Sequence, residues 1–341
     1  MNGGMIVATY ELAPAGSAAA LALEASLGQA DGPPFVRGEV VAEGEGRATV
    51  AFPADNWSHD LTMLLTALAG EVVETAAFTR CRLVGLELPA GWLPGPAVGA
   101  PPGVGVGAIL KPSLGLSPRE AAATAAELAA GGAVLVKDDE LLGDAPWCPL
   151  EERVRAVSAA LGPGVTYCAN VSGSAAGLLT RAARAVELGA TGLMVNLTQG
   201  FDAVRALREE GFGAPILAHR VGSGGWTRNE RFGVSLEVTA LLERLAGADF
   251  VLAGAFAGKL FDADADVAAQ LDACRRPLPG APHAAAGVLG GGVGPHNAGA
   301  LARQAGGDGL ILLCGQAAYR APGGPREGVA ATRAALEAAG A

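Results

Sequence analysis

Lysine is scarce in this chain of 341 residues. Its 24 basic side chains comprise 21 arginines and only three lysines, Lys111, Lys137 and Lys259. Arginine stays protonated near neutral pH, so it serves as a surface cation but not as a nucleophile or a proton donor. A lysine that remains where arginine is otherwise used is therefore a candidate for chemistry that a guanidinium cannot perform.

Other features are missing as well, and each absence excludes a class of protein. The five cysteines are odd in number and show no Cys-x-x-Cys spacing, which argues against a disulfide framework and a zinc knuckle. No apolar run approaches the roughly 18 residues of a membrane span, and the first residues lack the basic start of a signal peptide. The net charge of −10 argues against nucleic acid or an anionic membrane as a partner. We expect a cytoplasmic protein that binds neither nucleic acid nor membrane.

What is present is a regular alternation of short apolar runs with amphipathic stretches, which begins near residue 103. The runs are continuous in Val, Ile, Leu and Ala, as expected for a parallel sheet covered on both faces. Eight such units predict a TIM barrel of the usual ~250 residues; a doubly wound open sheet is the alternative, although no Gly-x-Gly-x-x-Gly follows the first run. The predicted strands are 105–111, 133–140, 165–171, 192–198, 215–221, 250–255, 284–290 and 309–315.

The first part of the chain does not follow this alternation. Strand-like segments at 5–12, 38–52 and 81–88, with a helical pattern at 60–73, predict a small α+β domain of the ferredoxin-like type. Prolines and glycines between residues 94 and 102 predict a linker. We therefore predict an α/β protein with an N-terminal α+β domain at 1–98 and a C-terminal (β/α)8 TIM barrel at 99–341.

All three lysines fall at the carboxyl ends of predicted barrel strands, where the active sites of TIM barrels lie. Lys111 ends the first strand, Lys137 lies near the end of the second, and Lys259 follows the sixth. The ends of the third and fifth strands add Asn170, His219 and Arg220. These residues are the first candidates for a functional site.

The densest charge cluster is Lys137-Asp138-Asp139-Glu140. Alternation along a strand places Lys137 and Asp139 on the same side, and Glu140 can join them where the strand ends. Two carboxylates beside a lysine form an oxygen-rich site for a hard cation such as Mg²⁺. The alternative is a salt-bridged rim that adds only solubility.

Several segments resemble motifs of RuBisCO large chains, in the same order and over nearly the whole chain. Residues 107–117 (GAILKPSLGLS) resemble the KPKLGLS segment, and residues 132–140 (GAVLVKDDE) are similar to the GLDFTKDDE metal site. Residues 217–220 (LAHR) are similar to the HxHR strand, and 257–260 (AGKL) to the mobile sixth loop. Residues 23–28 (LEASLG) resemble the ESSTG stretch. The chain is identified as a member of the RuBisCO superfamily, of the RuBisCO-like or form IV type.

The resemblance implies a metal centre with a modified lysine. Lys137 would react with CO₂ to give a carbamate, which turns an ammonium into an anionic oxygen ligand. With Asp139 and Glu140 it would hold Mg²⁺, whose Lewis acidity stabilises an enediolate.

The resemblance also implies roles for the other lysines and for a second subunit. Lys111 would move protons at the reacting carbons. Lys259 would close over the substrate on the sixth loop and meet Glu24 of another subunit. The implied assembly is a homodimer whose active site is shared between subunits.

The implied substrate is phosphorylated. Backbone N–H groups near Gly291, Gly292 and Gly315 would bind its phosphate, because glycine lets an anion approach the backbone closely. Arg220 would bind the far end of the substrate, and His219 would line the pocket. Asn170 completes the expected substrate-binding set.

Departures from the family pattern argue against the carboxylation of ribulose bisphosphate. Ser113 replaces the second lysine of the KPK segment, and Leu252 and Ser223 stand where histidines are expected. Gly290 replaces a serine, and Glu71 follows Gly70 where an asparagine is expected. Several of these positions hold a bisphosphate or take part in the addition of CO₂, so enolisation or isomerisation becomes the implied reaction.

Three functional hypotheses follow. The leading one is a Mg²⁺-dependent enolase or isomerase acting on a phosphorylated ketose or diketone of the methylthio-sugar phosphate type. In it Glu71 is a candidate acid or base, and the alternative for Glu71 is a solvated helix residue. The second is a decarboxylase of a 3-oxo sugar acid or its phosphate, because Lys259 faces a carboxylate in RuBisCO. The third is a binding protein without catalysis.

Overall fold

The N-terminal part of the chain folds as an antiparallel sheet with helices on one face. In the computed structural model, which describes residues 4–28, 30–281 and 283–340, its strands lie in the order β4-β1-β3-β2. This is the order of a ferredoxin-like β-α-β-β-α-β chain. Burial alternates along β1, so one face of the sheet packs on the helices. The elements are β1 (Met5–Ala13), α1 (Ala18–Leu27), β2 (Glu39–Gly44), β3 (Arg47–Pro53), α2 (Leu61–Leu65), α3 (Val72–Glu74) and β4 (Arg80–Glu87).

One local prediction in this domain was wrong, and the predicted helix at 60–73 is present but irregular. The segment 38–52 is not one strand but a hairpin, because Glu45 and Gly46 both have positive φ, of 52° and 75°. That backbone is the one a tight two-residue hairpin turn requires. The segment 60–73 is not one α-helix, since a π-helical stretch, Thr66–Glu71, separates α2 from α3. Helix α1 was not predicted.

The C-terminal part is a closed barrel of eight parallel strands, so the prediction of a TIM barrel is confirmed and the open sheet is excluded. The barrel closes by pairing of β9 with β11. Its strands are β5 (Val104–Ile109), β6 (Leu135–Lys137), β7 (Thr166–Asn170), β8 (Gly192–Asn196), β9 (Ile216–His219), β11 (Phe250–Ala253), β12 (Ala286–Val293) and β13 (Leu310–Cys314). A small apolar cluster inside the barrel, including Leu135, Met194 and Leu217, fills its interior.

Helices follow the barrel strands and form the outer layer. They are α4 (Pro118–Ala130), α5 (Leu150–Ala160), α6 (Leu178–Glu187), α7 (Phe201–Glu210), α8 (Gly224–Thr227), α9 (Leu236–Ala246), α10 (Asp264–Arg275), α11 (Ala298–Ala305), α12 (Gln316–Tyr319) and α13 (Pro325–Glu337). Helix α9 is buried along its whole length. No helix in the described part of the chain has the length and apolarity needed to cross a membrane.

One strand outside the barrel connects the two parts. Strand β10 (Phe232–Val234) lies between β9 and α9 in sequence, but it pairs in parallel with β4 of the N-terminal sheet. Close by, the Arg82 guanidinium donates to the Thr227 carbonyl at 3.1 Å. The N-terminal sheet is therefore fixed to the side of its own barrel. The domain boundary predicted at 98/99 falls between β4 and β5 and stays a prediction.

Candidate active site

A cavity of about 1230 Å³ opens at the carboxyl ends of the barrel strands. Lys111, Glu140, His219 and Lys259 line it, so two of the three lysines reach it directly. Lys137 lies buried beside it. The sequence prediction that these side chains meet at one rim agrees with this arrangement. The roles assigned to them stay predictions.

Lys137 ends β6 and is completely buried. Its ammonium donates to the Asp138 carbonyl at 2.8 Å and lies 3.2 Å from a carboxylate oxygen of Glu140. Burial lowers the pKa of Lys137, although the charges of Glu140 and Asp139 oppose the shift. A buried lysine of this kind holds its proton less tightly than a surface lysine.

Asp139 and Glu140 follow Lys137 in a loop. Asp139 pairs with the Lys111 ammonium through one oxygen and accepts from the Leu141 N–H at 3.0 Å through the other. Burial alone would raise the pKa of Glu140, but Lys137 and Lys111 outweigh it and the pKa is lowered. Both carboxylates therefore lie next to lysine ammonium groups, and Glu140 is held ionised.

The predicted strand 133–140 is shorter than expected, because pairing ends at Lys137. The Leu142 N–H donates to the Asp139 carbonyl at 3.1 Å, so the chain turns at this point. Asp139 pairs with Lys111 at the site and Asp138 with Arg153 on the other side, so the two aspartates point apart as alternation predicted. The turn then brings Glu140 beside Lys137.

Asp138 is buried in a different network, on the far side of the strand end. One oxygen accepts from Arg153 Nε at 3.1 Å and from the Asn170 backbone N–H at 2.9 Å. The other oxygen accepts from the Tyr167 hydroxyl at 2.9 Å. Burial would lower the pKa of Arg153, but Asp138 outweighs it and the pKa is raised. Asp138 is therefore buried and held by Arg153, Tyr167 and the Asn170 N–H, and it is not among the residues that line the cavity.

His219, which ends β9, faces the Glu140 carboxylate. Its Nδ1 accepts from the Val221 N–H at 3.2 Å, which leaves the proton on Nε2, 3.4 Å from Glu140. Burial first, and the charge of Lys137 second, lower the pKa of His219 well below its usual range. The imidazole is neutral and can act as a hydrogen-bond donor at the cavity wall.

Asn170 and Asn196 support the loop after β6. The Asn170 amide donates to the carbonyls of Asp139, Glu140 and Leu142 at 3.1–3.3 Å, and Asn196 donates to the Glu140 carbonyl at 2.9 Å. Asn170 was predicted to bind substrate, whereas its amide is occupied by the loop backbone. Asn196 was not predicted as a site residue, although its place at a strand end is the signal that could have found it.

Tyr319 is a second residue that sequence reasoning missed. Its hydroxyl donates to the Ile109 carbonyl at 2.8 Å and accepts from the Lys111 N–H at 3.0 Å. It thereby fixes the backbone from which Lys111 extends. The Lys111 ammonium also contacts the Ser113 hydroxyl at 2.9 Å. Tyr319 is more than 200 positions away in sequence, so local patterns gave no sign of it.

The glycine-rich loops form another part of the cavity wall. Gly291 and Gly292, in the irregular end of β12, have φ of 95° and 112°, and the Gly291 carbonyl accepts from the Lys259 N–H at 2.8 Å. Gly315 stands just before α12. Lys259 and Arg320 line the same wall, and within the described ranges neither side chain has a hydrogen-bond or ion-pair partner. Unpaired cations beside exposed backbone suit an anion.

Two predicted residues lie away from this cavity. Glu24 is on α1 and Glu71 ends the π-helical stretch, both in the N-terminal domain. Neither is among the described residues that line the cavity of the same chain. Glu71 is exposed to solvent.

No three His, Cys, Asp or Glu side chains within residues 4–28, 30–281 and 283–340 are grouped so as to hold a metal ion. Asp139 and Glu140 alone offer two carboxylates. A metal at this place would need a third anionic ligand, and Lys137 is the side chain beside them that could provide one after modification.

Comparisons with known proteins bear on this site. The model of the ribulose bisphosphate carboxylase large chain, catalytic domain, matches residues 97–341. A 2,3-diketo-5-methylthiopentyl-1-phosphate enolase from Geobacillus kaustophilus is 40% identical over 227 residues, 60% of this chain and 54% of that protein. A 3-oxo-isoapionate-4-phosphate transcarboxylase/hydrolase from Xanthobacter autotrophicus is 32% identical over 249 residues, 67% of this chain and 60% of that protein.

A solved structure extends the likeness to the N-terminal domain. The rubisco-like protein from Burkholderia fungorum matches with a TM-score of 0.88 at 26% identity, over 98% of this chain and 94% of that chain. Fold and site together define a (β/α)8 barrel protein whose polar site lies at the carboxyl ends of the strands. The chain belongs to the ribulose bisphosphate carboxylase large-chain family, as its sequence motifs predicted, and its relatives in that family include enzymes.

Proposed function

We propose that the protein is a Mg²⁺-dependent enolase or isomerase that acts on a phosphorylated ketose or diketone of the methylthio-sugar phosphate type. One observation carries the proposal: Lys111 and Glu140 line a single cavity, and the buried Asp139 and Lys137 pair with them directly behind its wall. The enolase relative acts, by its name, on a phosphorylated diketone. Enolisation of such a compound needs a base at carbon and stabilisation of a developing oxyanion.

The donor set fits Mg²⁺ if Lys137 becomes a carbamate. Addition of CO₂ to the neutral amine forms a C–N bond and releases one proton, giving an anionic oxygen ligand. The lowered pKa of the buried amine favours the neutral form that reacts. Mg²⁺, when bound, would polarise the substrate carbonyl. Asp139, now paired with Lys111, and Glu140, now paired with Lys137, would be its protein carboxylates.

Protein groups around this centre would handle the protons and the phosphate. Lys111 is partly exposed to the cavity and held by Tyr319 and Ser113, which suits a residue that moves a proton at a substrate carbon. The Nε2–H of neutral His219 would donate to a substrate oxygen. The unpaired Lys259 and the backbone of the glycine-rich loops would hold the phosphate.

A second copy of the chain would complete the site. Glu24 and Glu71 lie outside the cavity of their own chain, so they would reach a metal site only from another subunit. Large apolar side chains stand exposed in the segments that follow β5 and β6: Leu114 is 48% exposed, Leu141 62% and Trp147 51%. Exposed apolar side chains of this kind favour contact with another protein surface. We therefore propose a homodimer with a shared active site.

Carboxylation of ribulose bisphosphate is not proposed, because the departures from the family pattern line the cavity itself. Ser113, Ser223, Leu252 and Gly290 all contribute to its wall. A lysine and two histidines would stand at three of these positions in RuBisCO. A bisphosphate would meet fewer cationic partners here.

Proton NMR of 2,3-diketo-5-methylthiopentyl 1-phosphate in D₂O would test the proposal. With Mg²⁺ and bicarbonate, the wild-type protein should exchange the α-proton and form the enol, and Asp139→Asn should lose the activity. Asp272→Asn, which changes an exposed carboxylate paired only with Arg276, is the matched control and should retain it. Enolisation that persists in Asp139→Asn, or without Mg²⁺, would contradict the proposal.

A second candidate keeps the site but changes the reaction. The unpaired Lys259 ammonium at the cavity wall suits a substrate carboxylate, and one relative acts, by its name, on a 3-oxo acid phosphate. Release of ¹⁴CO₂ from a carboxyl-labelled 3-oxo acid phosphate, together with no enolisation of the diketone, would favour a decarboxylase. Mg²⁺ binding without either reaction would favour a binding protein.

A further inference from the structure

The cationic residue expected to bind the far end of the substrate is already paired. Arg220 follows β9 at the cavity wall, and its guanidinium faces the carboxylate of Asp262 with both terminal nitrogens. Nη2 donates to Asp262 Oδ1 at 2.9 Å, and Nη1 donates to Oδ2. A bidentate pair of this kind is among the strongest charge-assisted contacts in proteins. The guanidinium is thus neutralised within the protein.

The surroundings of Asp262 hold its carboxylate in this position. Its side chain is 1% exposed, although it lies only three residues after the exposed Lys259. Gln270, also buried, donates to Asp262 Oδ2 at 3.2 Å and accepts from Arg220 Nη1 at 3.4 Å. A Cβ at Gly254 would clash with the carboxylate, so the glycine leaves the space that Asp262 occupies. Arg220, Asp262 and Gln270 therefore form a prebuilt network.

Two apolar side chains line the cavity beside this network. They are Leu260 and Phe261, and the Arg220 guanidinium carbon lies 5.7 Å from the Phe261 ring centroid. A substrate group at this end would meet hydrocarbon and a neutralised ion pair. A second phosphate would have to displace the Asp262 carboxylate or lie against it, and like charges at such a contact are unfavourable.

We propose that Asp262 is a specificity-determining residue: by neutralising Arg220 it restricts the substrate to one anionic end and selects an uncharged group at the other. This inference rests on the proposed function, since it assumes that the glycine-rich loops and Lys259 bind a phosphate. It differs from a purely structural role of Asp262 as an anchor for the loop that carries Lys259. An anchor would alter the binding of every ligand, whereas a selector alters the ratio between monophosphates and bisphosphates.

Calorimetric titration with two sugar phosphates would test this, because binding is measured without turnover. The protein, with Mg²⁺ and bicarbonate present, is titrated with ribulose 5-phosphate and with ribulose 1,5-bisphosphate. The wild type should bind the bisphosphate no more tightly than the monophosphate. Asp262→Asn keeps the size of the side chain but frees Arg220, and should shift the ratio toward the bisphosphate by about ten-fold or more.

Two controls make the test specific. Asp272→Asn, on the exposed face of α10, should leave the ratio unchanged. The double variant Arg220→Gln and Asp262→Asn removes both charges and should restore the ratio of the wild type, which shows that the gain comes from the freed guanidinium.

Three results would overturn the proposal. The first is a wild-type protein that binds the bisphosphate ten-fold or more tightly than the monophosphate. This result does not depend on whether any variant folds. The second is a folded Asp262→Asn protein with an unchanged ratio; in that case the proposed function survives and only the role of Asp262 fails. If the wild type binds neither sugar phosphate, the phosphate site of the proposed function fails as well.

Discussion

Replacing Asp138 by asparagine should lower the free energy of unfolding by about 3–5 kcal/mol, because it leaves the charge of Arg153 buried without a counter-ion. Both side chains are fully buried and lie 3.1 Å apart. Asparagine keeps the shape and can still accept from the Tyr167 hydroxyl. Its amide NH₂, however, would face donors on the side where Arg153 and the Asn170 N–H now bind. The loss is a large fraction of the ~5–15 kcal/mol that typically stabilises a domain.

The adjacent Asp139 provides the matched comparison, since it is the same residue type with the same burial. Its ionic partner, Lys111, is 28% exposed, and asparagine could keep the contact with the Leu141 N–H. We therefore expect Asp139→Asn to cost only about 1 kcal/mol. The same substitution should abolish Mg²⁺ binding, whereas a folded Asp138→Asn protein should retain it.

Urea unfolding followed by circular dichroism measures the difference. A double-mutant cycle with Arg153→Met isolates the pair, and the combined variant should lose about 2 kcal/mol less than the sum of the single variants. Equal losses in Asp138→Asn and Asp139→Asn, or additive effects in the cycle, would refute the assignment of Asp138 to the fold.

Three further predictions concern other buried groups. Burial raises the pKa of Glu243 to about 8, so the folded state keeps a proton that the unfolded state releases above pH 4.5. The free energy of unfolding, measured in urea, should therefore fall as the pH rises from about 4.5 to 8. In Glu243→Gln this fall should be smaller by a few kcal/mol. Lys137→Met should abolish Mg²⁺ binding in calorimetry, while changing stability by no more than about 1 kcal/mol, because the buried amine is costly to the fold. Tyr319→Phe removes a hydroxyl that binds the backbone of Ile109 and Lys111. It should lower the free energy of unfolding by about 1 kcal/mol and lower kcat with little change in KM. A raised KM with unchanged kcat would contradict a positioning role of Tyr319.

Features carried by periodicity and by strand ends could be predicted from the sequence. The eight barrel strands appear as continuous apolar runs, and the lysines stand where those runs end. Contacts between distant segments could not be predicted in this way. Asp262 pairs with Arg220 across 42 positions, and Tyr319 reaches Lys111 across 208. Such pairings depend on how the barrel closes, not on any local pattern.

Pattern separated two neighbouring aspartates but did not give their partners. Alternation placed Asp139 on the side of Lys137, whereas the pairing of Asp138 with Arg153 and Tyr167 depends on distant segments. The hairpin within 38–52 was missed because its turn is marked only by Glu45-Gly46 between two paired strands. Alternation and composition describe elements, whereas the direction of a side chain at an element's end depends on its tertiary partners.

The central claim is that Lys137 becomes an anionic metal ligand, and ¹³C NMR with labelled bicarbonate tests it most directly. In the presence of Mg²⁺, the wild-type protein should show one slowly exchanging carbamate carbon resonance. The resonance should be absent in Lys137→Met, weakened in Asp139→Asn and unchanged in Asp272→Asn. A protein that binds Mg²⁺ and enolises its substrate without that resonance would contradict the account.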